Sequence, residues 1–152
     1  MKKVKIESFQ VIGISIRTTN EDNQAAKDIP ALWSKFMSEQ VLKKIPNKVS
    51  DAIYCMYTDY EKDHTMPYTV ILGCKVSTLD TLPDGLISKN IPEASYSSFI
   101  AKGNLQQNIV YNKWIEIWNT ELPRLFSTDF EIYGEKAQNS NDAEVEILIA
   151  IN

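Results

Sequence analysis

Glu131 is a carboxylate set in a run that otherwise reads as a strand, Ser127-Thr128-Asp129-Phe130-Glu131-Ile132-Tyr133-Gly134. Alternation along a strand puts Glu131 and Tyr133 on one face and Phe130 and Ile132 on the other. The chain carries three tryptophans, seven tyrosines and five phenylalanines. A carboxylate beside a tyrosine on a sheet in such a chain describes a negative charge at the bottom of an aromatic pocket, and ring faces and carboxylate together attract an organic cation. The alternative for a strand glutamate is an ion pair with a lysine or arginine at the sheet edge.

Other chemistry has less to build on. The single histidine, His64, lies in a polar turn, so a metal cage or a histidine-based triad has little to build on. Cys55 and Cys74 lie in apolar runs and read as reduced, buried thiols, with a disulfide between neighbouring strands as the lesser alternative. The acidic turn Asp59, Glu61, Asp63 lacks the central glycine and the terminal bidentate glutamate of a calcium loop and reads as a solvated hairpin. With no phosphate loop, metal set or nucleophile-base pair, no catalytic residue, metal or cofactor is called for.

These residues need a scaffold, and 152 residues suffice for one well-cored domain spanning 1–152. A hydrophobic share of 43% and a charged share of 24% suit a soluble protein, and no apolar run approaches a membrane span. The basic start Met1-Lys2-Lys3 is not followed by an apolar signal region, so a cytoplasmic location is expected. A net charge of −4 with scattered lysines and arginines argues against direct nucleic-acid binding. No length precedes Val4 for a helix-turn-helix, so any DNA-binding function would come from a separate protein.

The same order of elements reads twice, in pseudo-repeats of roughly 1–80 and 90–152. In the first, a strand over 4–19 precedes an amphipathic helix opening at Ile29-Pro30, with Leu32, Trp33, Phe36, Met37 and Val41 at helical spacing and an end near Ile45-Pro46. Strands over 52–58 and 68–77 follow, then a turn-rich connector over 82–86. In the second, a strand over 94–102 precedes a helix over 106–126, whose stripe is Val110, Trp114, Ile117, Trp118 and Leu122. Strands over 128–133 and 143–151 complete it. Residues 51–57 align with 128–134 as the best internal correspondence. The fold class is α+β with pseudo-twofold symmetry, and a cleft is expected where the β-α-β-β modules meet. Trp114 and Trp118 share a helix face, so at most one is expected to reach that cleft. Tyr54 and Tyr57 have opposite parity, so only one of them belongs there.

A set of motifs runs through nearly the whole chain: Arg17-Thr18-Thr19-Asn20, Ile29-Pro30-Ala31-Leu32-Trp33, Ile45-Pro46-Asn47, the stretch 52–61, Tyr68-Thr69-Val70-Ile71-Leu72-Gly73, Trp114-Ile115-Glu116-Ile117-Trp118 and Asp129-Phe130-Glu131-Ile132-Tyr133. In order and spacing they resemble the GyrI-like effector-binding domains of AraC/Rob-type and multidrug-sensing transcription regulators, especially the stand-alone versions encoded by integron cassettes. The resemblance implies one curved antiparallel sheet with two main helices flanking a ligand groove. It places Glu131 in that groove to attract lipophilic organic cations, with Trp33, Tyr54, Tyr96, Trp118 and Tyr133 as walls. The function implied is drug sequestration or effector sensing for a transcription regulator, with a separate DNA-binding protein as partner. The alternatives it leaves are a hydrolase of strained electrophiles using Glu131 and Tyr133, and a gyrase-inhibitor-type interaction module.

Overall fold

The computed structural model describes residues 2–152. Eight strands form a single antiparallel sheet: β1 (Lys2–Ile6), β2 (Phe9–Thr18), β3 (Ile53–Thr58), β4 (Tyr68–Val76), β5 (Ile87–Ile91), β6 (Ala94–Gly103), β7 (Thr128–Tyr133) and β8 (Ala143–Ile151). Helices α1 (Gln24–Ser38) and α2 (Val41–Lys44) follow β2, and α3 (Ile109–Trp118) follows β6. The spatial order is β1-β6-β8-β7-β3-β4-β2-β5. Exchanging the first four strands for the last four returns this order reversed, so the pseudo-twofold symmetry expected from the sequence holds for the whole sheet. Its axis passes through the β3–β7 pair.

The edges correct the β-α-β-β reading. The strand expected over 4–19 is two strands, broken at Glu7-Ser8, and β1 leaves its own module to pair with β6. Its counterpart β5 pairs with β2, in a region expected to hold only a connector and coil. Each module therefore lends its first strand to the edge of the other. The Ile-Ser-Lys-Asn-Ile run of β5 is too polar to announce a strand, and polar or charged side chains are what an exposed edge carries.

The helices also shift. α1 begins six residues before Pro30, which lies inside it and loses a single ladder bond there. α3 stops at Trp118 rather than continuing to 126, because Pro123 cannot extend it. Residues 120–127 run instead as an irregular segment against β8, with Leu125 N–H donating to the Ala150 carbonyl and Asn152 N–H to the Pro123 carbonyl. That segment brings Arg124 and Phe126 beside the sheet.

Both faces of the sheet are buried, which explains the near-continuous apolar runs of β2 and β4. On one face α1 packs on Ile12, Ile14, Leu72 and Cys74, while α3 packs on Phe99, Ile147 and Ile149. On the other face Phe9, Met56, Ile91, Tyr96, Phe130 and Leu148 share one cluster with Val4 and Ile6 of β1. Residues from both edges and the centre meet there, so the sheet curls around its helix-free face. The two cysteines are free and buried, as expected.

β2 and β4 meet at a glycine pair, Gly13 opposite Gly73. A Cβ on Gly13 would stand 2.0 Å from the Leu72 carbonyl oxygen and 2.6 Å from the Gly73 Cα. Gly13→Ala is therefore expected to lower unfolding free energy by about 3 kcal/mol in urea titration, because the clash is with backbone that cannot step aside.

Candidate functional site

The site grows from the central strand pair. In the β3–β7 register Cys55 lies opposite Glu131, and Tyr57 and Tyr133 each follow two residues later on the same face. The symmetry thus equates Tyr57 with Tyr133 and Cys55 with Glu131. α1 and α3 cover this face, one from each module, and each lays a tryptophan edge-on to one of the tyrosines. Trp33 meets Tyr133 at 4.9 Å between centroids and 79°, and Trp114 meets Tyr57 at 5.4 Å and 77°. The result is two matching aromatic walls around one carboxylate.

Glu131 is 2% exposed, and neutral donors hold it. Its Oε2 accepts from Tyr57 Oη and Trp114 Nε1, both at 2.7 Å, and its Oε1 accepts from Tyr133 Oη at 2.6 Å. Among the described residues no lysine or arginine forms an ion pair with it, unlike the edge-pair alternative. Burial raises its pKa above the ordinary carboxylate range, and the hydrogen bonds from Tyr133, Tyr57 and Trp114 only partly offset this. The Cys55 thiol beneath it is pushed up by burial and then by the Glu131 charge, so it stays protonated, and its Sγ–H donates to Tyr57 Oη at 3.5 Å. Burial and the Glu131 charge likewise drive the Tyr133 phenol far up.

A cavity of about 690 Å³ opens above this floor. Glu131, Trp33, Trp118 and Tyr133 line it, with Tyr57, Tyr60, Tyr68 and Trp114. Both helix tryptophans reach it, because the short α3 presents Trp114 to the floor and the more exposed Trp118 to the mouth. Tyr54 and Tyr96 do not line it. Tyr54 stacks on Phe130 at 5.7 Å and Tyr96 meets the same ring edge-on at 5.3 Å, both on the helix-free face. The correspondence of 51–57 with 128–134 was out of step by one residue, and a one-residue slip turns every side chain to the opposite face. With Cys55 aligned to Glu131, Tyr57 takes the place intended for Tyr54.

Sequence reasoning also missed a second carboxylate. Asp129 shares the face of Glu131 by parity alone and is fully buried. It accepts from Tyr60 Oη at 2.6 Å, Arg124 Nη2 at 2.8 Å and the Ala150 N–H at 2.8 Å. Burial raises its pKa, and the Arg124 guanidinium is the first of the groups working against that rise.

The rim is set by the β3–β4 hairpin. Arg17 donates to the Asp59 and Pro67 carbonyls and to Thr69 Oγ1, Asn20 Nδ2 donates to the His64 carbonyl at 2.8 Å, and Tyr68 Oη donates to Asn20 Oδ1 at 2.6 Å. The Arg17-Thr18-Thr19-Asn20 motif thereby fixes one wall. In the acidic turn Asp59 pairs with Lys89 and Asp63 Oδ1 accepts from the Thr65 N–H, and no group of three metal-ligating side chains occurs among the described residues.

This fold matches known structures along its length. The crystal structure of integron cassette protein VCH_CASS2, from the mobile metagenome of Vibrio cholerae, aligns over 99% of this chain and 95% of its own with a TM-score of 0.77 and 32% identity. SAV2435, solved bound to tetraphenylphosphonium, aligns over 99% of this chain and 93% of its own with a TM-score of 0.76 at 17% identity. YobU of Bacillus subtilis (strain 168), named as a candidate transcriptional regulator, is 29% identical over 143 residues, covering 91% of this chain and 89% of YobU. The fold is that of an effector-binding domain. Residues 4–151 match the integron-associated effector binding protein family, Cass2, and the chain belongs to it. Its function is accordingly small-molecule effector binding. No helix among the described residues is long and apolar enough to cross a membrane.

Glu131→Gln tests the electrostatics directly. A glutamine Oε1 accepts from Tyr57 and Trp114, its amide donates to Tyr133 Oη, and the network survives without charge. Because the folded pKa of Glu131 is raised, its ionisation costs stability above that pKa and the cost disappears on protonation. Thermal melts from about pH 8 to about pH 4 should therefore show the wild type gaining on the variant as pH falls, by at most about 1.4 kcal/mol per pH unit of titration. A wild type that loses ground to the variant toward acid would contradict this account.

Proposed function

We propose that the cavity binds lipophilic organic cations and that the chain acts as a drug sequestrant or as the effector sensor of a transcription regulator. The observation that carries this reading is a buried carboxylate with no cationic partner, walled by Trp33, Tyr57, Trp114 and Tyr133. A cation entering the cavity meets ring faces worth about 2 kcal/mol per desolvated contact and supplies the counter-charge Glu131 lacks. The tetraphenylphosphonium bound by SAV2435, on the same fold, supports this class of ligand. The name of YobU supports a regulatory setting.

The hydrolase alternative fits the geometry less well. Tyr133 already commits its proton to Glu131, and the rise in its pKa makes it a poor acid.

Fluorescence titration with tetraphenylphosphonium, and with phenyltrimethylammonium against its neutral isostere tert-butylbenzene, checks the reading. Saturable quenching by the cations is expected, with Glu131→Gln weakening them on the order of 10- to 100-fold and leaving the neutral compound unchanged. Tyr54→Phe, on the far face, should bind like the wild type. Equal weakening of charged and neutral compounds in Glu131→Gln would make Glu131 a structural residue and end this proposal.

A further inference from the structure

The acceptor atoms at the floor of the cavity are already engaged inside the protein. Glu131 is 2% exposed, and protein donors fill most of the roughly four lone-pair directions of its carboxylate. Tyr57 Oη and Trp114 Nε1 both donate to Oε2 at 2.7 Å, which leaves that oxygen full, and Tyr133 Oη donates to Oε1 at 2.6 Å. The Tyr57 hydroxyl in turn accepts from the Cys55 Sγ–H. Asp129, the other carboxylate on this strand face, is fully buried and held by Tyr60, Arg124 and the Ala150 amide. What remains for a guest at the floor is aromatic surface, from Trp33, Tyr57, Trp114 and Tyr133.

Charge and hydrogen-bonding capacity are thus separated. The Glu131 charge acts through a poorly polarisable interior over several ångströms, whatever donors it holds. An N–H bond, by contrast, needs a free acceptor lone pair close to it and in line. A primary ammonium brings three N–H donors out of water, and Glu131 has a single direction left to offer. The remaining donors lose their water partners without replacement, and the loss is larger because they are charged. A quaternary cation carries no N–H, and the ring faces satisfy it through its charge alone.

We infer that the cavity selects cations without N–H bonds, such as quaternary ammonium and phosphonium ions, over protonated amines of the same charge, because Tyr57, Trp114 and Tyr133 occupy the acceptor sites of Glu131. This selectivity rests on the cation reading of Glu131 and narrows its ligand class. Tyr57 and Tyr133 then determine specificity through the hydrogen bonds they give to Glu131 as well as through their rings.

Benzyltrimethylammonium and benzylammonium, both cationic at about pH 7, are the probes. Their neutral carbon isosteres, neopentylbenzene and ethylbenzene, measure what the added methyl groups contribute by size alone. In fluorescence titrations the wild type should prefer the quaternary ion by about tenfold or more beyond the preference between the isosteres. Tyr133→Phe keeps the ring against Trp33 and frees a second lone-pair direction on Glu131, so this excess preference should shrink severalfold. Tyr57→Phe frees one on the other oxygen, should act in the same way, and carries the test if Tyr133→Phe does not fold. Because both cations face the same carboxylate, any change in its charge cancels in the ratio. No excess preference in the wild type, or an excess unchanged in the variants that fold, overturns the selectivity and leaves the cation pocket standing. Cations that bind the wild type no better than their isosteres overturn the cation reading itself, and the selectivity with it.

Discussion

Everything in this protein's interior is arranged around one ionisable group held without a counter-ion. Removing a carboxylate from water costs several kcal/mol even after relaxation, and three neutral donors recover only part of that for Glu131. Those donors come from three elements: Tyr57 from β3, Trp114 from α3 and Tyr133 from β7. The carboxylate therefore ties the strand pair at the module seam to the helix above it. It also leaves a carboxylate without a counter-ion facing the cavity, the feature on which the proposed choice of a cationic ligand rests.

Duplication supplies the walls and symmetry-breaking supplies the charge. The palindromic strand order places Tyr57 and Tyr133, and over them Trp114 and Trp33, in matching positions. At the centre the match fails, with Cys55 directly opposite Glu131. A second glutamate there would set like charges across a single strand spacing, which is destabilising on a sheet and worse in its interior. A small thiol that remains protonated fills the position without competing for the charge. The exchanged edge strands β1 and β5 lock the modules together, so the cleft is held between rigid halves of one sheet.

Asp129 and Glu131 show how two like residues on one strand acquire different roles. Both are buried, and burial raises the pKa of both. Asp129 has the Arg124 guanidinium, a tyrosine hydroxyl and a backbone amide, so its charge is compensated within the fold and it anchors the segment over 120–127. Glu131 has hydrogen bonds but no cation. The difference lies in where α3 ends: the helix stops at Trp118, and the irregular segment after it delivers Arg124 to one carboxylate and not the other.

Local pattern alone determined that the fold is α+β with two similar halves, that residues 128–133 form a strand, and that Glu131 and Tyr133 share a face. These are consequences of the two-residue period of strands and the spacing of helix stripes, and they are written in consecutive residues. Only the tertiary structure decided which aromatics accompany Glu131. Tyr57 and Tyr54 differ by register across β3 and β7, a relation between residues 74 or more positions apart that no local period encodes. The same holds for the edge-strand exchange, for the delivery of Arg124 to Asp129, and for the opening of both Trp114 and Trp118 onto one cavity. Each depends on long-range pairing, and long-range pairing is set by how the two halves bury their apolar faces together.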